Sequence, residues 1–171
     1  VHYNDPTNPK KYSTTPVDGL TVRNVAPSGV ASAGVAAIRC FQDVLVGNEV
    51  YVFGYPSSIG LKDIPQVDHS RPLLRRGVVA GKNLDLRTFV LDCFVYGGNS
   101  GGPVVQVEGY GPTARFKTIG LVSQFIPLVE KWHNEPLGYT NIEVSNSGYC
   151  VAVPMDAALE LVATWGTPTT S

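Results

Sequence analysis

The sequence predicts an all-β fold, an antiparallel barrel or sandwich that is followed by one C-terminal helix. Two patterns carry this prediction: short apolar runs recur with Gly and Pro between them, and the last apolar run repeats with helical spacing. The 171 residues suffice for one ordinary domain or two small β modules. A composition of 43% hydrophobic and 16% charged residues is typical of a packed globular protein and argues against disorder.

The N-terminal part of the chain differs in composition from the rest. Residues 1–30 are rich in Pro, Asn, Thr, Ser and Lys, which predicts loop with one short strand at residues 19–23. The apolar residues 33–40 are predicted to form a buried strand. Six further β runs are expected at residues 48–53, 73–80, 88–95, 102–107, 116–125 and 149–153. Residues 131–147 have no clear period and are predicted to be a long surface loop.

A helix is predicted over residues 155–165 because the apolar residues there repeat on one helical face. The apolar stripe consists of Ala158, Leu159, Leu161, Val162 and Trp165. The helix is expected to begin after Pro154 and to end before Gly166, which starts a Gly-Thr-Pro run.

Charge and cysteine content exclude several classes of partner. The 13 basic and 14 acidic residues leave a net charge of −1 without a basic stripe, so no nucleic acid is expected, and no apolar run is long enough to span a membrane. Arg75 and Arg76 are predicted to be solvent-facing charges at the start of a strand. Cys40, Cys93 and Cys150 are expected to be buried, inert thiols, and no metal-ligand spacing occurs, so no metal or other cofactor is expected.

The most informative stretch is residues 97–103, Gly-Gly-Asn-Ser-Gly-Gly-Pro, which places Ser100 among four glycines directly after an apolar run. Glycine lets the backbone turn sharply and lets another backbone approach closely. Such a loop can hold a hydroxyl outward while its own N–H groups converge on one point, which is the geometry that an acyl-transfer nucleophile needs. The alternative is a Gly-rich hairpin turn with a solvent-facing serine.

Residues 98–103 resemble the nucleophile loop of the chymotrypsin-like (trypsin-like) serine peptidases, and most closely that of the bacterial trypsin-like branch, where Asn often holds the second position. The resemblance covers about residues 45–165. It implies chymotrypsin-like antiparallel β-barrels: a partial N-terminal barrel at residues 1–44, and a complete second barrel at residues 45–171 that carries the nucleophile loop and the terminal helix.

The resemblance also implies roles for individual residues. Ser100 would be the nucleophile, and the N–H groups of Gly98 and Ser100 would form the oxyanion hole. Peptide would add as a strand beside residues 121–125, which predicts contacts with Val122, Ser123 and Gln124. Phe94 would form the base of the specificity pocket, where a bulky apolar side chain argues against a preference for Lys or Arg.

The second position of the loop departs from the animal digestive members, which carry Asp there and pair it with a freed N-terminus. Asn99 is neutral and cannot form that ion pair. No activation triggered by a new N-terminus is therefore expected.

A serine hydroxyl needs a general base, and in this family the histidine and its carboxylate come from the first barrel, upstream of the serine. The chain contains His2, His69 and His133, of which only His2 lies in an upstream barrel position, so His2 is the candidate base. His69 and His133 are expected to be exposed loop residues. Gly34 stands where the family carries its Asp.

The missing acid and base leave two interpretations: the chain is a fragment without the strands that carry them, or its first barrel has degenerated. The Gly at position 34 favours degeneration. The expected function is a serine endopeptidase that hydrolyses peptide or protein substrates through an acyl-enzyme on Ser100. The alternative is a catalytically impaired pseudo-peptidase or fragment that binds peptides. A third, weaker possibility is a structural barrel that assembles with another chain supplying the first barrel.

Overall fold

Six strands form a closed antiparallel barrel, and one helix follows the last strand, as the sequence predicts. The computed structural model describes residues 34–56, 64–68 and 70–165. The strands and the helix are β1 Glu49–Gly54, β2 Leu73–Asn83, β3 Thr88–Asp92, β4 Pro103–Glu108, β5 Arg115–Asn134, β6 Tyr139–Pro154 and α1 Met155–Trp165. Around the ring the order is β1-β2-β3-β6-β5-β4, and β4 pairs back onto β1.

The core lies inside the ring and is built by alternation along each strand. In β1, Val50 and Val52 are fully buried while the residues between them are half-buried, and β3 buries Phe89 and Leu91 in the same way. Alternation of this kind is required of a strand that has one face in a core. Val79, Val104, Ile119, Cys150 and Ala152 complete the fully buried interior.

The predicted strand at residues 33–40 is wrong. Val35–Ala37 and Phe41–Asp43 form two 3-10 turns, and Ile38 makes a single parallel bridge with Thr118. N–H groups of this segment are satisfied within the turns, since Ile38 donates to the Val35 carbonyl at 2.9 Å and Asp43 to the Cys40 carbonyl at 3.1 Å, so they are not available to a neighbouring strand. The domain boundary at residue 44 and the partial first barrel stay predictions, and residues 1–33, with the expected strand at 19–23, lie outside the described residues.

The segment that leads into the barrel is held by two side chains from far along the sequence. The Lys82 ammonium donates hydrogen bonds to the carbonyl oxygens of Phe41 at 2.6 Å and Val44 at 2.8 Å. Asp156, in the first turn of α1, accepts a hydrogen bond from the Phe41 N–H at 2.8 Å. These contacts tie the leading segment to β2 and to the helix.

The predicted loop at residues 131–147 is also wrong. Beyond the barrel, β5 and β6 continue as a two-stranded ribbon whose last pair is Asn134 with Tyr139. The strands are joined by the 3-10 turn Glu135–Leu137, which ends at Gly138 with a φ of 65°. We call residues 126–146 the arm. Because both faces of the arm are exposed, polar and apolar residues occur on each face and hide the period of a strand.

Of the part of the chain that the structure describes, no helix has the length and apolarity needed to cross a lipid bilayer.

Candidate active site

The predicted nucleophile loop, residues 97–103 and called the nucleophile loop below, follows β3 and turns at two glycines in the left-handed region. Gly98 has a φ of 96° and Gly101 a φ of 80°, values that side chains rarely tolerate. The Asn99 N–H donates to the Tyr96 carbonyl, and the Gly102 N–H donates to the Asn99 carbonyl, both at 2.9 Å. The loop is therefore a compact turn whose shape depends on its glycines.

Ser100 is exposed at the tip of this turn and faces β5. Its hydroxyl donates a hydrogen bond to the main-chain carbonyl of Ser123 at 3.0 Å. The loop is fastened to the same strand, because the Gly101 N–H donates to the Val122 carbonyl at 2.8 Å and the Val122 N–H donates to the Gly102 carbonyl at 2.9 Å. The fold thus brings the predicted nucleophile beside the predicted peptide-binding strand.

The three predicted substrate contacts on β5 differ in accessibility. Ser123 and Gln124 are exposed. Val122 is 3% exposed, and both of its main-chain groups are used by the nucleophile loop. Val122 therefore holds the loop in place and has no group left for an added strand.

The amides predicted to form the oxyanion hole are those of Gly98 and Ser100. Within residues 34–56, 64–68 and 70–165, neither N–H donates a hydrogen bond to the chain. The Gly98 carbonyl accepts from the Tyr55 N–H at 3.2 Å, which fixes the orientation of the following peptide. With respect to the described residues, these two N–H groups of the loop are therefore free to donate to an incoming oxygen.

Asn99 is buried, with 1% of its surface exposed, and points away from solvent beneath the loop. Its Oδ1 accepts a hydrogen bond from the Tyr96 N–H at 3.0 Å. Its Nδ2 packs against Gly54, where a Cβ would collide with it, and a Cβ at Gly102 would collide with the Phe53 carbonyl oxygen. The glycines at positions 54 and 102 are therefore needed for the loop to sit this close to β1.

Phe94 is 49% exposed and lies over Gly148, a residue that sequence reasoning did not single out. A Cβ at Gly148 would lie 3.2 Å from the ring, and its φ of 88° also favours glycine. The two residues before Gly148 fix this part of β6. Asn146 Nδ2 donates to the Val95 carbonyl at 2.7 Å, and the Ser147 hydroxyl donates to the Ile126 carbonyl. The sequence signal that could have indicated this contact is the Asn-Ser-Gly run at residues 146–148, which lies in β6 where the strand passes from the arm into the barrel.

The prediction for the arginine pair is correct for Arg76 and wrong for Arg75. Arg76 is exposed and pairs with Glu49 at 2.7 Å, and this hydrogen bond lowers the pKa of the Glu49 carboxyl. Arg75 is half-buried, and its guanidinium carbon lies 4.8 Å from the centroid of the Tyr96 ring. The alternation of β2 causes this difference, since residues 75 and 79 point inward and residue 76 outward.

The three cysteines differ in exposure. Cys93 and Cys150 are buried, and burial raises the pKa of both thiols, that of Cys150 to about 12. Cys40 is exposed in the leading segment, so the prediction of three buried thiols is wrong at this position. The described residues contain no group of three or more His, Cys, Asp or Glu side chains arranged to hold a metal.

No histidine or carboxylate of the described chain hydrogen-bonds to Ser100. His2 and His69 lie outside the described residues. His133 is on the arm, where its Nδ1 and the Thr140 hydroxyl are 3.0 Å apart. It follows Ser123 by ten residues on the same strand, a path of about 30 Å. Gly34, at the expected position of the acid, is exposed and has open space around its α-carbon.

Comparison with known proteins identifies one family. The sequence profile of the trypsin-like peptidase domain matches residues 7–110, a span that includes Gly98, Ser100 and the whole of the turn that carries them. No curated protein matches the chain.

Proposed function

Because this chain belongs to the family of trypsin-like peptidase domains, we propose that it is a serine endopeptidase that cleaves peptide or protein substrates through an acyl-enzyme on Ser100. The observation that carries the proposal is the 3.0 Å contact between the Ser100 hydroxyl and the Ser123 carbonyl, in a loop whose Gly98 and Ser100 N–H groups have no partner among the described residues. We assign the chain to the bacterial trypsin-like branch, since Asn99 holds the second position of the loop.

In the proposed reaction the Ser100 oxygen attacks the carbonyl carbon of the scissile bond. The negative charge then develops on the carbonyl oxygen, where the N–H groups of Gly98 and Ser100 can donate to it, and one such donor is worth about 2.7–4 kcal/mol. A general base takes the hydroxyl proton and returns it to the leaving amine. Water then hydrolyses the ester on Ser100 by the same route in reverse.

The hydrogen bond to Ser123 gives substrate binding a role in activation. A hydroxyl proton directed at the Ser123 carbonyl is directed away from a base. When a peptide adds beside β5, one of its N–H groups competes for this carbonyl. The Ser100 hydroxyl is then free to turn towards the base.

The base itself is proposed to be a histidine from the residues outside the described ranges. His2 is the first candidate, because it lies upstream of the predicted second barrel as the family's histidine does, and His69 is the other. His133 is unsuitable because it lies on the arm, hydrogen-bonded to Thr140.

A covalent probe tests this proposal. The full chain is treated with a fluorophosphonate, whose phosphorus is attacked by an activated serine with loss of fluoride, and its intact mass is compared with that of untreated protein. We expect an adduct in the wild-type chain, none in Ser100→Ala, and none in whichever of His2→Ala or His69→Ala removes the base. An absence of any adduct in correctly folded wild-type chain would refute the peptidase proposal.

The second candidate is a non-catalytic peptide-binding barrel. One observation favours it: among the described residues, no imidazole or carboxylate hydrogen-bonds to the Ser100 hydroxyl. A serine and an oxyanion hole without their base retain only about 10³–10⁴-fold acceleration over water. Peptide binding by a chain that the probe fails to modify would support this candidate.

A further inference from the structure

The arm exposes an unusual amount of apolar surface. Seven large apolar side chains on it are between 48% and 71% exposed, namely Leu128, Val129, Trp132, Leu137, Tyr139, Ile142 and Val144. An isolated two-stranded ribbon is marginally stable in water, and contiguous exposed apolar patches mark interaction sites. The arm therefore has the properties of a surface that binds another molecule.

One face of the arm combines this apolar surface with negative charge. Glu130 of β5 is directly opposite Glu143 of β6. By alternation, Leu128, Trp132 and Tyr139 lie on the same face as these two carboxylates. Like charges directly opposite each other destabilise a strand pair, and neither carboxylate forms an ion pair with any residue that the structure describes. A cation placed between them would relieve the repulsion, and Trp132 could contact it through its ring.

The arm is continuous with the edge at which Ser100 lies. A single strand, β5, runs from Arg115 to Asn134 and contains both Ser123 and the first strand of the arm. Its pairing with β4 ends at Leu121, so from Ser123 onward the described chain leaves this edge of β5 open. A polypeptide that adds beside Ser123 in extended form would reach Trp132 after about nine residues.

We propose that the arm is a distal binding site for the polypeptide substrate, which it recognises through Lys or Arg flanked by apolar residues. The identification of this polypeptide as a substrate rests on the proposed function. Negative charge argues against two other occupants of this surface. A second copy would place two more carboxylates against Glu130 and Glu143, and an anionic membrane surface would be repelled by them.

Peptide binding to the full chain carrying Ser100→Ala tests the proposal without requiring catalysis. Fluorescein-labelled peptides are measured by anisotropy: one of about five residues that covers only the edge near Ser123, and others of about 16 residues extended at either end. Each long peptide is made with Lys or with Gln at the positions that reach the arm. We expect the long Lys peptide extended at one end to bind about fivefold tighter than its Gln partner.

The variants assign this selectivity to the arm. Glu130→Gln together with Glu143→Gln should make the Lys and Gln peptides bind equally, and Trp132→Ala should weaken both long peptides without affecting the short one. Asp85→Asn, which removes an exposed charge from the turn between β2 and β3, serves as the control and should change nothing.

Three results would overturn the proposal: long peptides that bind no better than the short one, Lys selectivity that survives the double glutamate variant, or a dimer in sedimentation that Trp132→Ala dissociates. Failure of the proposed function is a separate outcome. If the wild-type chain is not modified by fluorophosphonate while Lys-dependent binding persists, catalysis is refuted and the arm remains a polypeptide-binding site.

Discussion

Gly54 and Asn99 pack so closely that the side-chain amide of Asn99 occupies the space where any other residue at position 54 would place its Cβ. Asn99 is also bonded to the Tyr96 N–H, which holds the nucleophile loop in its turn. This contact connects the end of β1 to Ser100, although the two are far apart in sequence. The position of the Ser100 hydroxyl therefore depends on Gly54, a residue without a side chain.

Gly54→Ala should destabilise the fold and disturb the active-site loop. The added methyl group must displace the buried Asn99 side chain, and overpacking of this kind costs about 1–3 kcal/mol. Urea unfolding should show the loss, and fluorophosphonate labelling of Ser100 should slow. Gly34→Ala is the matched control, because position 34 has a φ of −68° and nothing within 4 Å of its Cβ. A normal unfolding curve and normal labelling in Gly54→Ala would contradict the role given to this contact.

Replacing Lys82 should loosen the segment that leads into the barrel. Its ammonium donates to the carbonyls of Phe41, Gln42 and Val44, and hydrogen bonds from a charged group contribute about 1.5–3 kcal/mol. We expect Lys82→Met, which keeps the apolar stem, to lower the free energy of unfolding by about 2 kcal/mol in urea titrations. Lys131→Met on the exposed arm should leave it unchanged. Equal urea midpoints for the two variants would show that the clamp contributes nothing.

The three thiols should react in two classes. At about pH 8 a thiol reagent should modify exposed Cys40 in the native protein, while Cys93 and Cys150 should react only after unfolding. If all three thiols of the native protein reacted at the same rate, Cys93 and Cys150 would be accessible and this prediction would be wrong.

The same burial makes stability depend on pH in the alkaline range. Burial raises the pKa of the Cys150 thiol from 9.0 to about 12, so the folded state holds this proton more tightly than the unfolded state. The stabilisation is complete below about pH 9 and is lost as the pH rises towards 12, because the unfolded thiol ionises first. Urea midpoints measured on either side of about pH 9 should therefore fall more steeply for the wild-type chain than for Cys150→Val.

Phe94 should limit the size of the substrate side chain that the predicted specificity pocket accepts. Its ring lies against Gly148, and the resemblance places it at the base of the specificity pocket. Phe94→Ala should improve binding of peptides with a large apolar residue at the cleavage position by about tenfold relative to peptides with Ala there. Binding to the Ser100→Ala background measures this ratio, and Phe116→Ala, an exposed ring elsewhere, should leave it unchanged. An unchanged ratio in Phe94→Ala would remove Phe94 from the specificity site.

The sequence predicted the barrel wherever one face of a strand is buried. Val50 and Val52 alternate with half-buried residues, and this period is visible in the sequence because a core enforces it. The strand prediction failed for the arm, because neither face of the arm packs on a core. Charged and apolar residues such as Glu130 and Trp132 therefore share a face, and the sequence does not alternate. The strand prediction at residues 33–40 failed for another reason: the N–H groups of Ala37 and Ile38 donate to Gly34 and Val35 within a turn, and apolar composition alone does not reveal such local pairing.

The candidate site was predicted in the same uneven way. The glycines around Ser100 indicate a tight turn locally, and the structure has that turn, with Gly98 and Gly101 in the left-handed region. The availability of Ser123 and the burial of Val122 follow from how the loop docks onto β5, which no local pattern records. The contact of Phe94 with Gly148 joins residues more than 50 positions apart, and only the folded chain brings them together.

The closure of the barrel has a consequence for how the chain reaches this state. β1 finds its second partner only when β4 is present, as in the pairing of Val50 with Gln106, and β3 waits for β6, as in the pairing of Leu91 with Cys150. During synthesis β3 therefore keeps an open edge until residue 150 has left the ribosome. Chains whose pairings are this non-local fold in roughly milliseconds to seconds, which exposes them to misassembly while they wait. The nucleophile loop, held between β1 and β5, is completed only near the end of that process.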